Sequence, residues 1–193
     1  MPKLVDHDER RRAIADAAVQ AIATHGLEDV KLTQIARMAH VTTGAVTHYF
    51  ESKDDVLLAA LEEVCRRLFD AFEERDGRPP LDQLFDILPA DALSLAEWKV
   101  WVAFWGRAAF VSRLSEVHRD YYAMIQQALS EFLGDGAEDA RTTADAVMAA
   151  IDGIGVRVCL EPDLWPPERQ RAVLVRLLSP LLAPVKGKAD ANA

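Results

Sequence analysis

Apolar positions recur along this chain with the period of a helix. From Glu9 to His25 the residues Ile14, Ala18 and Ile22 fall on one face, and Gly26 supplies a left-handed stop, which predicts a first helix. Thr33 is placed to cap a short second helix holding Ile35, Ala36 and Ala39, and a tight break at His40 and Val41 leads to a third from Thr43 to about Tyr49. Ser52 and Asp55 have the form of a capping box, with Asp54 and Asp55 in a first turn where the helix dipole favours acids. They open a long fourth helix whose apolar stripe is Leu57, Leu61, Cys65, Leu68 and Phe72 and which ends near Arg75, before Gly77, Pro79 and Pro80. From Lys53 to Arg75 it is about 35 Å long, enough to join two modules rigidly.

A short helix around Leu81, Leu84, Phe85 and Leu88 closes at Pro89. Ser94 and Glu97 make the clearest capping-box signature and open a helix carrying Trp98, Trp101, Trp105 and Ala108. A further helix spans about Glu116 to Leu133 and stops at Gly134; the next, from about Glu138 to Leu160, sets Ala144, Val147, Met148, Ile151, Ile154 and Val158 along one side. Pro162, Pro166 and Pro167 then break the chain, and Pro167 suits the first turn of a last helix through Val173, Leu174, Leu177, Leu178 and Leu181. No stretch alternates as a strand does. The expected architecture is all-α with about nine helices.

Composition narrows the class. Half of the 193 residues are hydrophobic, and the longest apolar stretch, Trp98 to Val111, carries Lys99 and Arg107 and is too short to span a bilayer. The opening MPKLVDHDERRR lacks the apolar core of a secretory signal, so a cytoplasmic protein without membrane contact is expected. Cys65 and Cys159 sit in apolar helical patterns and read as buried thiols. The net charge of −9 argues against nucleic acid until its distribution is considered: residues 1–50 carry six cations and six acids, net zero, leaving −9 on the rest. A near-neutral head on an acidic body turns the head towards a polyanion and keeps the body away.

The informative stretch is LTQIARMAHVTTGAVTHYFESKDDVLLAAL, residues 32–61. Two helices of about seven residues do not persist alone, so helix one and the start of helix four must hold them and display helix three. In a helix-turn-helix the second short helix enters the major groove. Thr42, Thr43, Thr47 and His48 offer hydroxyls and an imidazole to bases and phosphates, and Gly44 and Ala45 allow close approach. Thr33 and Gln34, at the start of helix two, are candidates for phosphate through backbone amides. Tyr49 and Lys53 are further phosphate candidates. The Arg10–Arg12 run is either a solvated helix face or a phosphate contact.

The run Thr33, Ile35, Ala36, Ala39, Val41, Thr42, Gly44, His48, Tyr49, Phe50, Lys53 and Leu57 resembles the DNA-binding signature of the TetR family of bacterial regulators. The wording TTGAVTHYFESKDDVLLAAL is particularly similar to the betaine-regulator (BetI-like) branch. The close match covers about residues 9–61. The resemblance implies a homodimer that represses a double-stranded DNA operator until a small-molecule effector enters the C-terminal domain. It also implies that helix four links the two sites and that the last two helices form the dimer interface. The chain then divides into a helix-turn-helix domain (1–53), a helical ligand-binding and dimerisation domain (54–185) and a disordered tail (186–193). Many members place Gly where this chain has His40 and Tyr where it has Thr47. His at a left-handed position costs about 1 kcal/mol against Gly, and loss of the Tyr removes one expected phosphate contact.

Trp98, Trp101 and Trp105 lie on one side of a helix with Phe104 beside them. They are either core or, with Tyr121, Tyr122 and Trp165, the lining of an effector pocket. Aromatic faces attract cations, so a cationic or aromatic effector is expected. Ala149, Ala150, Gly153 and Gly155 mark close approach of another helix, either within the chain or across a dimer whose candidate residues are Val147, Ile151, Ile154, Val158, Leu174, Leu177, Leu178 and Leu181. No Glu-x-x-His pair, phosphate-binding glycine loop, zinc spacing or nucleophile elbow occurs, so neither an enzyme nor a metal or cofactor site is expected. The alternative function is a helical ligand-binding or scaffold dimer without DNA affinity.

Overall fold

The computed structural model describes residues 7–73, 77–133 and 140–182, without the side chains of 71–73. Its helices are α1 (His7–Asp29), α2 (Leu32–Met38), α3 (Thr43–Tyr49), α4 (Lys53–Glu73), α5 (Pro80–Phe85), α6 (Ala92–Ala108), α7 (Ser112–Leu133), α8 (Ala140–Leu160) and α9 (Pro167–Leu182), with a single 3-10 turn at Pro162–Leu164. There is no strand among the described residues, and none of their helices is long and apolar enough to cross a membrane. The expected end of helix four at Arg75, the stop at Gly134, the start at Glu138 and the tail 186–193 lie outside the described residues.

The described residues fall into two compact units, one within 1–73 and 91–118, the other within 74–90 and 119–193. In the first, α1 packs on α4 and α6, α2 on α1, and α3 on α2. The stripe expected on α1 forms its buried face: Ile14 and Ala18 are fully buried and Ile22 nearly so, and Leu57, Ala60 and Leu61 of α4, on which α1 packs, are buried in the same unit. Each such leucine or isoleucine contributes about 1.5–3 kcal/mol by leaving water. Ile35 and Ala36 of α2, Val46 of α3 and Phe50 just beyond it complete the core beneath the short helices. In the second unit α9 packs on α8 and α5. There the buried amide of Gln170 donates to the carbonyls of Pro89 at 3.1 Å and Trp165 at 2.9 Å, tying two loops to the start of α9.

Local signals need four corrections. Gly26 does break α1, but at φ 75°, ψ 159°, a positive-φ conformation beyond the left-handed helical well and open to glycine alone. Thr33 does not cap α2. The N-cap is Lys31, whose backbone N–H donates to Gln34 Oε1 at 2.7 Å, because the helix begins earlier than the hydroxyl suggested. Ser94 likewise is not an N-cap but the reciprocating third residue: Asp91 accepts from Ser94 N at 2.8 Å and the Ser94 hydroxyl accepts from Asp91 N at 3.1 Å. Glu97 is thereby free to bind Arg67 at 2.6 Å. Finally, α7 starts at Ser112, four residues before the expected Glu116. The Ser52–Asp55 box stands as expected, with Asp55 Oδ2 accepting from Ser52 N at 3.0 Å and from its hydroxyl at 2.9 Å. That hydroxyl bond, chiefly, holds the Asp55 carboxyl below the usual carboxylate range.

Candidate nucleic-acid interface and effector site

The turn between α2 and α3 rests on His40, which adopts φ 55°. Thr42 then caps α3, its hydroxyl oxygen accepting from Ala45 N at 3.1 Å while its own O–H stays available. Val46 and Phe50 point inward, and this orientation turns Thr42, Thr43, Gly44, Thr47 and His48 to solvent. Ala45 is half-buried. The Thr47 hydroxyl donates back to Gly44 O at 3.1 Å and retains only acceptor capacity. A Cβ built on Gly44 meets nothing in the chain closer than the Thr42 hydroxyl oxygen at 3.8 Å. The chain itself therefore has no need of a glycine at this helical position.

The phosphate candidates are placed less uniformly. Thr33 is exposed, and Gln34 spends its side-chain oxygen on the α2 cap. Tyr49 is half-buried and its hydroxyl shares a 3.1 Å hydrogen bond with His7 Nδ1. The Lys53 ammonium donates to the Glu28 carbonyl and so ties the start of α4 to the end of α1. In the basic run, Arg11 pairs with Glu62 of α4 at 2.7 Å, whereas Arg12 and, on α2, Arg37 are exposed.

Sequence reasoning missed a set of ion pairs that hold the unit around this surface. Arg107 of α6 grips Asp54 in a fork, with Nη2 at 2.9 and 3.0 Å from the two carboxylate oxygens. Arg113 of α7 reaches Asp55 at 3.3 Å. Lys99 of α6 donates to Ala23 O at 3.2 Å, near the end of the regular part of α1. Arg67 joins Asp16 of α1, Glu63 of α4 and Glu97 of α6. Glu63 is buried; burial opposes its charge, but Arg66 and Arg67 outweigh that and its pKa lies below the usual value. Apart from the pairs that Glu63 makes within α4, these partners lie 30 to 76 residues apart in sequence, beyond the reach of periodicity.

Of the effector candidates, Trp98, Trp101 and Phe104 are buried in the first unit and Trp105 is half-buried. Trp105 lies 6.1 Å from Trp98 and 5.9 Å from Trp101 between ring centroids, so the three indoles form one cluster. The Nε1 of Trp105 is a buried donor without a partner among the described residues. Phe104 stacks on His118, whose pKa burial lowers. Tyr121, Tyr122 and Trp165 belong to the second unit. Two guanidinium groups of the same chain, Arg157 at 5.3 Å and Arg169 at 4.7 Å, sit over the Trp165 ring. Of the dimer candidates, Val147, Ile151, Ile154, Val158, Leu174 and Leu178 are buried within the single chain. Leu177 and Leu181 are exposed, at 49% and 43%. Sequence reasoning also passed over Asp152, although an acid amid VMAAIDGIGVRV was a visible signal.

Comparison with known proteins gives independent findings. Residues 14–60 match the family described as bacterial regulatory proteins, tetR family, and residues 82–183 match the BetI-type transcriptional repressor, C-terminal. The HTH-type transcriptional regulator BetI of Escherichia coli is 32% identical over 172 residues, covering 83% of this chain and 87% of that one. A transcriptional regulator from a Rhodococcus species superposes with a TM-score of 0.78 at 32% identity, over 92% of this chain and 96% of its own. A regulator from Saccharomonospora viridis, solved in complex with choline, has a TM-score of 0.72 at 25% identity over 90% and 97%.

Proposed function

Because this chain belongs to the TetR family of bacterial transcriptional regulators, with a C-terminal region of the BetI-type repressor, we propose that α3 is its reading helix and that a quaternary ammonium is its effector. Thr43, Gly44 and His48 face base edges, and the exposed Arg12 and Arg37 meet phosphates. The observation that carries this is the solvent face of α3: it is held in place by Val46 and Phe50 and offers a glycine where the chain itself accepts a larger side chain. Two copies grip the half-sites of an inverted repeat. Leu177 and Leu181 of α9, exposed in the single chain, lie in the surface that joins them.

The effector class is supported by the choline complex of the Saccharomonospora relative and by the acidic remainder of the chain beyond residue 50. Effector binding releases the operator only if the ligand has different affinities for the two arrangements of the protein. The ion pairs Arg107–Asp54 and Arg113–Asp55 hold α6 and α7 to the first turn of α4, directly after α3, and are the links through which α3 is repositioned. Titration of the dimer on DNA from its own upstream region tests the proposal. Thr43→Ala with His48→Ala is expected to relax sequence preference without changing folding. Unchanged preference in that variant refutes the assignment of α3.

A further inference from the structure

Asp152 lies midway along α8, between Ile151 and Gly153, in a helix whose buried face is apolar. Among the described residues its carboxylate has one polar partner: the Tyr122 hydroxyl of α7 donates to Oδ2 at 2.7 Å. It forms no ion pair among them. Glu63, the buried acid of the other unit, is met by two arginines. Asp145, the other acid of α8, is exposed and accepts from the Gln126 amide. Asp152 is half-buried, and a partly desolvated carboxylate given only a neutral donor lacks a counter-charge, an arrangement that is costly and that makes it a candidate functional group. Burial raises its pKa to about 6, with the Tyr122 hydroxyl pulling the other way.

We infer that Asp152, oriented by Tyr122, is the anionic anchor for the cationic head of the effector. The inference rests on the quaternary-ammonium reading above. Tyr122 is a positioning residue: by holding Oδ2 it leaves Oδ1 for the ligand. The ligand class follows from the carboxylate itself and from its neighbours in helical register. A primary ammonium brings three N–H donors, each requiring an acceptor, whereas a quaternary ammonium brings charge without donors and needs one carboxylate and apolar walls. Met148 and Val156 stand one turn either side of Asp152, and Ile125 one turn beyond Tyr122; Met148 and Ile125 are buried. The position therefore favours a trimethylammonium group over an amine.

The test uses the full-length dimer and calorimetric titration with two probes, choline and its uncharged isostere bearing a tert-butyl group in place of trimethylammonium. The wild type is expected to prefer choline by about 30-fold or more. Asp152→Asn removes that preference by weakening choline alone, while Asp152→Glu retains it. Tyr122→Phe weakens choline a few-fold and leaves the isostere unchanged. Operator binding without ligand stays at the wild-type level in each, which reports folding; if Asp152→Asn fails that control, the Glu and Phe variants decide. Should Asp152→Asn bind choline as the wild type does, or lose both probes equally, the anchor is refuted and the effector reading stands. A wild type that binds neither probe overturns the effector reading and the anchor with it.

Discussion

Replacement of Asp152 by Asn is expected to stabilise the ligand-free protein. The Asn side-chain oxygen still accepts from Tyr122, so the 2.7 Å hydrogen bond has a successor. What disappears is the cost of ionising a half-buried acid. Its pKa rises from 3.8 unfolded to about 6 folded, and at 1.36 kcal/mol per pH unit of difference the ionised form costs the native state about 3 kcal/mol. The sign follows from linkage: with the folded pKa raised, the stability is fully present below pH 3.8 and is lost as pH rises through about 6. The advantage of the variant over wild type therefore grows by about 2 kcal/mol between roughly pH 4.5 and 7.5. At about 2–4 °C per kcal/mol for a chain of this size, its Tm exceeds that of wild type by about 6–12 °C at the higher pH. Calorimetric melting of both proteins at one protein concentration, without ligand, measures this, since the Tm of any self-associating protein depends on concentration. An Asn variant that melts below wild type at the higher pH, or whose advantage is the same at both, refutes the account of Asp152 as a partly desolvated acid without a counter-charge among the described residues.

Gly44→Ala is expected to leave thermal stability unchanged or raise it by about 0.5–1 kcal/mol, since the position is helical and open, while lowering operator affinity at least tenfold; melting and fluorescence anisotropy on labelled operator read the two effects separately. Arg107→Ala breaks the fork on Asp54; because that pair is partly exposed, stability falls by no more than about 1 kcal/mol, but choline-driven release of operator weakens in a competition titration. Leu61→Ala opens a cavity in the fully buried core of the first unit and costs about 2–5 kcal/mol by denaturant unfolding, with no change in DNA preference at temperatures where the variant is folded.

The periodic part of the fold was legible because α1 and the earlier part of α4 bury their stripes, so Ile14, Ala18, Ile22, Leu57, Leu61 and Cys65 repeat where the core requires them, while Leu68 further along α4 is half-buried. The solvent face of α3 was legible as well: Thr42, Thr43, Thr47 and His48, the threonine and histidine side chains of the segment, are all exposed. Caps were harder. Asp91 and Ser94 form the box that Ser94 and Glu97 only imitated, and the imitation was resolved by Arg67, a residue of α4 that claims Glu97. Helix amphipathicity also could not distinguish burial within the chain from burial against a second copy: Leu174 and Leu178 are internal while Leu177 and Leu181, on the same stripe, are exposed. Long-range charge pairs such as Arg107–Asp54 leave no local trace.

Selection of bound fragments from a random DNA library by the unmodified protein tests the central claim most directly. The expected result is an inverted repeat with half-site centres one helical turn apart, about 34–36 Å, or a multiple of it, enriched less as salt rises. Recovery of no motif above the input library at moderate salt contradicts the assignment of α3 as a reading helix.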